Sequence, residues 1–294
     1  YQIDETASVV YGVYEHYKYT KSEKFLKDNL KMCEKAIDFL KKYLKDWLNI
    51  EGTEERDKDK VQEEIENSVN RQGHKYHISY DLWEMNEGIH LYSLASIYSA
   101  FDSILNIYKA LGKNVSEFEN NRLKEEKIQK NKRTIENLQT QLKKYINENL
   151  YDEEKKSYVR NTEDRKMDIS ILGAITPFNM FKPKEKKIRN TVERINMSLR
   201  TYTGGYQRFE QDNYMYGNPW PIANLWMTLY YLETGEKKKA KETFDFVVKT
   251  AGKHYLLGEQ VDNSTLKPNW VIGLGWSHAM FIIVLEKLYK NNLK

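Results

Sequence analysis

The sequence predicts an all-α protein built as an α/α toroid. In such an array apolar helices line the inside and amphipathic helices shield them. Three observations carry that expectation. Only five prolines occur in 294 residues and Val-Ile-Thr alternation is almost absent, so helical periodicity dominates. Segments apolar on most sides alternate with segments bearing one apolar stripe. Fixed-period self-similarity is missing, which argues against tetratricopeptide and armadillo arrays.

The elements follow in order. Residues about 4–18 are mostly apolar, with Val9, Val10, Val13 and Tyr14. Residues about 22–48 are amphipathic. Ser22 is a fitting N-cap with Glu23 after it, and Leu26, Leu30, Cys33, Ile37, Leu40, Leu44 and Trp47 step by four and three along one stripe. The charged stretch from Gly52 to Asn70 reads as a solvated loop or short helix. Residues about 87–111 are apolar on most sides, from Leu91 through Phe101 to Leu105. Residues about 116–149 are charged, with a stripe at Ile128, Ile135, Leu138, Leu142 and Ile146. The polar stretch from Tyr151 to Arg165 suits a hairpin. Ile169 to Ile175 is short and apolar. Residues 185–198 and 236–251 are charged, while 219–233 and 275–290 are apolar, and Ala279 through Leu285 should be buried nearly all round. That gives nine helices in strict inner–outer alternation, in one domain without a clean linker.

Composition excludes several classes. Forty-seven Lys plus Arg stand against 43 Asp plus Glu, a net charge of +4, too even for a nucleic-acid binder with a basic stripe. No apolar run approaches the ~18 residues of a membrane span. The one cysteine, Cys33, rules out an internal disulfide and a Cys-based metal site and reads as core. His74 and His77 lack an H-E-x-x-H pattern and read as loop residues. His278 reads as a hydrogen-bonded core residue. Gly204-Gly205 is no phosphate loop, and no G-x-S-x-G occurs. The 22 tyrosines accompany many Lys, Asn and Ile as a compositional bias, though flat rings also stack on sugar faces.

The informative residues precede the inner helices. They run Gln2-Ile3-Asp4-Glu5-Thr6, then Tyr80-Asp81-Leu82-Trp83-Glu84-Met85-Asn86, then Asp164 to Asp168. Next come Gly204 to Arg208, with Asp212, Tyr214 and Tyr216-Gly217-Asn218-Pro219-Trp220. Last is Gly258-Glu259-Gln260-Val261-Asp262, with Asn269-Trp270 after it. In an antiparallel toroid these turns share one end. Carboxylates, an arginine, amides and rings would then converge where helix N-termini favour anions and hydroxyl acceptors, a mix suited to sugar. Taken singly, Asp4 reads as an N-cap, Glu84 and Glu259 as surface carboxylates, Trp83 and Trp220 as core, and Asn218-Pro219 as a helix start.

The ordered set resembles glycoside hydrolase family 15, the glucoamylase, glucodextranase and trehalase-like enzymes. The matching stretches are Gln2 to Thr6, Asp81-Leu82-Trp83-Glu84, Gly217 to Pro221, Gly258 to Asp262 and Gly275-Trp276-Ser277-His278-Ala279. The resemblance implies an (α/α)6 toroid and an inverting hydrolase that releases glucose from α-glucosides or α-glucans. It implies Glu84 as general acid and Glu259 as general base. Trp83 and Arg208 would contact the sugar at the cleavage point. Asp4, Trp220 and Trp276 would shape the pocket, and Asn218 and Gln260 would bind substrate beside them. Inversion needs one protonated and one ionised carboxyl about 6.5–9.5 Å apart. Glu84 is therefore expected to hold its proton through partial burial against Trp83. Met85 departs from the family pattern, in which a second acid often follows the general acid.

The resemblance also implies a partial barrel. Nine of twelve helices are counted, and the chain begins at Tyr1 without the family's Arg-Asp pair, so N-terminal helices are expected to be missing. The expected ligand is an α-linked gluco-oligosaccharide or polysaccharide, with no cofactor, metal, nucleic acid or membrane. Association with the missing N-terminal segment or with itself is expected through an exposed apolar seam. A single cysteine fits a cytoplasmic or a secreted bacterial enzyme, with the cytoplasm slightly favoured. Two rival readings stand: a non-catalytic carbohydrate sensor on the same scaffold, as in the phosphorylase kinase subunits that resemble this family, and a structural α/α scaffold.

Overall fold

Helix α1 (Ile3–Thr20) buries Ile3, Ala7, Val10 and Val13 on one face and ends at Lys21, whose left-handed backbone lets its N–H reach Tyr17 O at 2.8 Å. The computed structural model describes residues 2–45, 78–112 and 121–292, which pack as two units. The first comprises residues 1–149 with 161–163, the second 150–160 with 164–294. The Gly52–Asn70 stretch, Trp47, the histidines at 74 and 77 and the side chain of Ile128 lie outside the described residues.

In the first unit, α2 (Glu23–Lys45) starts as its sequence directs: Ser22 Oγ accepts the N–H of Phe25 at 3.2 Å. Leu26, Cys33, Ile37, Leu40 and Leu44 are buried along one stripe. That stripe packs on α1 and on α3 (Leu91–Gly112). Helix α3 is apolar nearly all round, with Leu91, Leu94, Ile97, Phe101 and Ile104 buried. Helix α4 (Asn121–Asn149) lays Ile135, Leu138, Leu142 and Ile146 against it. A two-stranded hairpin, β1 (Ser79–Tyr80) with β2 (Glu87–Gly88), precedes α3.

In the second unit, β3 (Tyr151–Asp152) and β4 (Ser157–Tyr158) form the hairpin expected of the polar stretch. The apolar stretch after it is a 3-10 turn, η1 (Ile169–Ala174), and all six of its residues are buried. Asp168 caps it by accepting the N–H of Ser170 at 2.7 Å. Helix α5 (Lys186–Ser198) is amphipathic, a short 3-10 turn η2 (Tyr214–Tyr216) follows, and α6 (Pro221–Thr234) is buried from Pro221 to Tyr231. Pro221, not Pro219, takes the first helical position, where its missing N–H costs nothing. Gly235 ends α6 in the left-handed region, and α7 (Lys237–Lys249) returns across it. Strands β5 (Gly258–Val261) and β6 (Pro268–Ile272) pair antiparallel ahead of α8 (Gly275–Asn292).

Helix α8 departs from expectation. Val284 is buried, but Ile282, Ile283 and Leu285 are exposed. Among the described residues α8 packs on α6, with Phe281 stacked on Phe244 of α7 at 5.1 Å, so its cover comes from one side. Apolar composition reports what a helix can bury and is silent on how many neighbours it has. Helix α1 departs as well, since its burial is confined to one face and Val9 is exposed. In the other elements the alternation holds: α3, η1 and α6 are buried, and α2, α4, α5 and α7 are amphipathic.

Candidate functional site

In the first unit the candidate residues gather around the β1–β2 turn. Asp81 is buried, and its carboxylate organises the turn. Oδ1 accepts the N–H groups of Trp83 at 3.1 Å and Met85 at 2.9 Å, and Oδ2 accepts Asn86 Nδ2 at 2.7 Å. The carbonyl of Asp81 accepts Glu84 N and the side-chain amide of Gln2, both at 3.0 Å. Such Asx bonding holds a tight turn against competing conformations. Glu84 occupies the left-handed region at φ 57°, which an L residue adopts only when its surroundings impose it.

Trp83 is buried and Glu84 is exposed. This corrects the expectation that Glu84 is partly buried against Trp83. The turn sends these neighbours into different environments, because Asp81 holds the N–H groups of Trp83 and Met85 and Glu84 between them takes the left-handed backbone.

Asp4 sits in the first turn of α1, 4% exposed. It accepts Ser93 Oγ at 3.3 Å. Burial pushes its pKa up to about 6, with smaller contributions from the charges of Glu5 and Asp81, while its backbone and Ser93 hydrogen bonds oppose the rise.

The second unit gathers the larger set. Arg208 and Asp212 form a buried bidentate pair: Nε to Oδ2 at 2.8 Å and Nη2 to Oδ1 at 2.9 Å. Asp212 Oδ1 also accepts Tyr214 N at 3.1 Å. Three rings surround the Arg208 guanidinium, with centres 4.6 Å away for Trp220 and 5.0 Å for Phe209 and Tyr214. Tyr214 in turn meets the exposed Trp270 edge-on at 6.4 Å.

Beside them lies β5. Its pairing with β6 is irregular between Gly258 and Gln260, so Glu259 sits on a kink in the strand. Val261 N donates to Pro219 O at 2.8 Å. Gln260 is fully buried, and its Oε1 accepts Asn218 Nδ2 at 3.3 Å. Asn218 also donates to Met215 O and accepts Asn263 N. The two segments that carry Trp220 and Glu259 are thereby fastened together. From α8, Ser277 Oγ donates to Gly258 O at 3.1 Å, and Leu257 N donates to His278 Nε2 at 3.0 Å. His278 is hydrogen-bonded as expected, but it is half-buried rather than core, and it holds the segment just before Glu259.

Glu259 is half-buried, and its Oε2 is buried with no hydrogen-bond partner among the described residues. Burial pushes its pKa up, and the charge of Arg208 pulls it back. A carboxylate with unused lone pairs beside a fixed cation can accept a proton from water. Gln260 Nε2 is a second buried polar atom with no partner among the described residues.

Of the residues expected from sequence, Arg208, Asn218, Trp220, Glu259 and Gln260 come together in the second unit. Trp276 is half-buried in α8 and packs edge-on against Trp226 of α6 at 6.0 Å. Asp4, Trp83 and Glu84 belong to the first unit. The sequence places Asp212 and Tyr214 among the converging turns and Ser277 in a matching stretch but gives none of them a role, and it leaves Phe209 unmarked. The local signal for the ion pair is the place of Asp212 four positions after Arg208. Among the described residues there is no cluster of His, Cys, Asp or Glu able to hold a metal ion, and no helix is long and apolar enough to cross a membrane.

Comparison with known proteins bears on the family and the fold. The profile of Glycosyl hydrolases family 15 matches residues 2–268. An uncharacterized glycosyl hydrolase of Methanocaldococcus jannaschii is 27% identical over 99% of this chain and 42% of its own length. The chain thus spans less than half of that curated relative. A solved glycosidase variant in complex with glucose superposes with a TM-score of 0.70 at 15% identity, over 98% of this chain and 67% of its own. A bacterial glucoamylase complexed with acarbose gives 0.63 at 18% identity, over 97% of this chain and 40% of its own. At such identities the likeness carries the fold: the chain corresponds to part of the (α/α)6 architecture of glucoamylases.

Proposed function

The chain belongs to glycosyl hydrolases family 15, and from that premise we propose that it carries an inverting glycosidase activity, releasing glucose from α-glucosides or α-glucans. It is read as part of a single catalytic domain. Glu259 takes a proton from water as the water oxygen bonds to the anomeric carbon. The bond from that carbon to the leaving oxygen breaks, and that oxygen takes the proton of Glu84. Configuration inverts, and β-glucose is released. Arg208 and Trp83 contact the reacting sugar. Asp4, Asn218, Trp220, Gln260 and Trp276 line or support its pocket.

The observation that carries this reading is the state of Glu259. One of its oxygens is buried and unengaged among the described residues, within the electrostatic reach of an arginine already held by Asp212. A carboxylate with a purely structural role would be expected to be hydrogen-bonded. The solved relatives in complex with glucose and acarbose support the substrate class.

The test uses the full-length protein with maltose, isomaltose, trehalose and starch, following the anomer released by proton NMR. Release of β-glucose is expected, and Glu84→Gln or Glu259→Gln should each lower kcat by about 10²–10⁴-fold with the fold retained. Release of α-glucose, or near-full activity of either variant, overturns the mechanism. No glucose from any substrate favours the carbohydrate-sensing module instead.

A further inference from the structure

Two stretches of the chain repeat one pattern. Arg160-Asn161-Thr162-Glu163-Asp164 and Arg208-Phe209-Glu210-Gln211-Asp212 each place an aspartate four positions after an arginine. Both pairs close. Arg160 Nε donates to the two Asp164 carboxylate oxygens at 2.9 and 3.0 Å, and Nη2 donates to Asp164 Oδ2. Arg208 and Asp212 pair in the same bidentate manner. Arg160 is 4% exposed and Arg208 3%.

Both guanidiniums also reach one ring. The central carbon of Arg160 lies 4.7 Å from the centre of Phe209, and that of Arg208 lies 5.0 Å from it. The backbone joins the same group. Asp168 and Phe209 form an antiparallel bridge, and Ile169 N donates to Arg208 O at 2.7 Å. Arg160 Nη1 stands 4.0 Å from Asp168 Oδ2, which completes the circuit. Arg160 is thus linked to Arg208 twice, through an aromatic ring and through an aspartate whose backbone pairs with the residue after Arg208.

Stability alone does not favour this arrangement. Each buried guanidinium costs desolvation, and two cations sharing one ring repel each other. Asp164 and the buried Asp168 call for a counter-charge at position 160, but not for a guanidinium plane resting on the ring that Arg208 also uses. A second buried cation is explained if its position governs that of the first.

We propose that Arg160 is a positioning residue: through the shared Phe209 ring and the Asp168 bridge it sets the plane and location of the Arg208 guanidinium. Its effect on catalysis rests on the glycosidase reading of Arg208 and Glu259, but the positioning itself does not. Arg160 touches neither sugar nor water in this scheme. A planar, bidentate group is required, so lysine is a poor substitute.

The decisive experiment has two arms on the full-length protein. The first follows the Arg208 Nε–H resonance by arginine-selective ¹⁵N NMR, since the three surrounding rings shift it. The resonance should move in Arg160→Lys and Arg160→Met. A resonance that stays in place in the lysine variant overturns the proposal, whether or not any α-glucoside is hydrolysed. The second arm is a double-mutant cycle with Arg208→Lys. Arg160→Met should raise KM about tenfold in the native background and less than about twofold when position 208 is already lysine. Equal factors in both backgrounds describe a merely structural residue and also overturn the proposal. A native protein inactive on all α-glucosides removes the glycosidase reading and leaves the NMR arm to decide.

Discussion

Asp212 accepts both forks of the Arg208 guanidinium, at 2.8 and 2.9 Å, and each partner is almost wholly buried. A buried pair of this kind is weak evidence for net stability, because desolvation offsets the attraction. Breaking it is another matter, since a lone charge then remains inside. Asp212→Asn should cost roughly 3 kcal/mol of unfolding free energy, read by urea denaturation. The same variant should lower kcat/KM, because Arg208 then loses both its location and its counter-charge. An unchanged urea midpoint would mean that Arg208 finds another anion.

Asp4 predicts a pH dependence of opposite sense to ordinary acid denaturation. Its pKa rises from 3.8 to about 6 on folding. Below pH 3.8 it is protonated folded and unfolded alike. Between those values the unfolded chain releases a proton that the folded chain keeps, so stability falls as pH rises. Two pKa units correspond to about 3 kcal/mol, fully lost above pH 6. Asp4→Asn keeps an acceptor for Ser93 and removes the titration. It should be more stable than the native protein at pH 7 and about equal to it at pH 4, by denaturant titration at both.

Gly217 sits at φ 65°, and a Cβ there would lie 2.5 Å from both Asp212 O and Gln207 Nε2. The backbone oxygen cannot withdraw without dragging Asp212 from Arg208. Gly217→Ala should lower stability by about 1–3 kcal/mol and weaken catalysis with it. Thermal melting and kcat/KM should fall together. An unchanged melting point would show that the loop can relax.

Much of this was legible in the residues. The stripe of α2 and its Ser22 cap follow from spacing alone, because both are local. So does the buried character of α3 and α6. The exposure of Ile282 and Ile283 was not legible, since it depends on which elements lie beside α8. Turn motifs identified Glu84, Arg208, Trp220 and Glu259, yet not their environments. The exposure of Glu84 arises from a left-handed residue between two N–H groups claimed by Asp81. Desolvation of Glu259 arises from a strand irregularity and from contacts to segments far away in sequence. Nothing in the sequence marks Phe209; only the fold gives its ring to two arginines.

Glu259 takes its bearings from a helix that begins sixteen residues later in the chain. Leu257 and Gly258 are pinned by His278 and Ser277, one hydrogen bond each, directly before the carboxylate. The start of α8 thus acts as a gauge block against which the strand is set. A slip of the helix along its axis would carry the carboxylate with it, while changes on the solvent side of the same helix would leave the setting untouched. Precision and tolerance coexist on one element, separated by less than a turn.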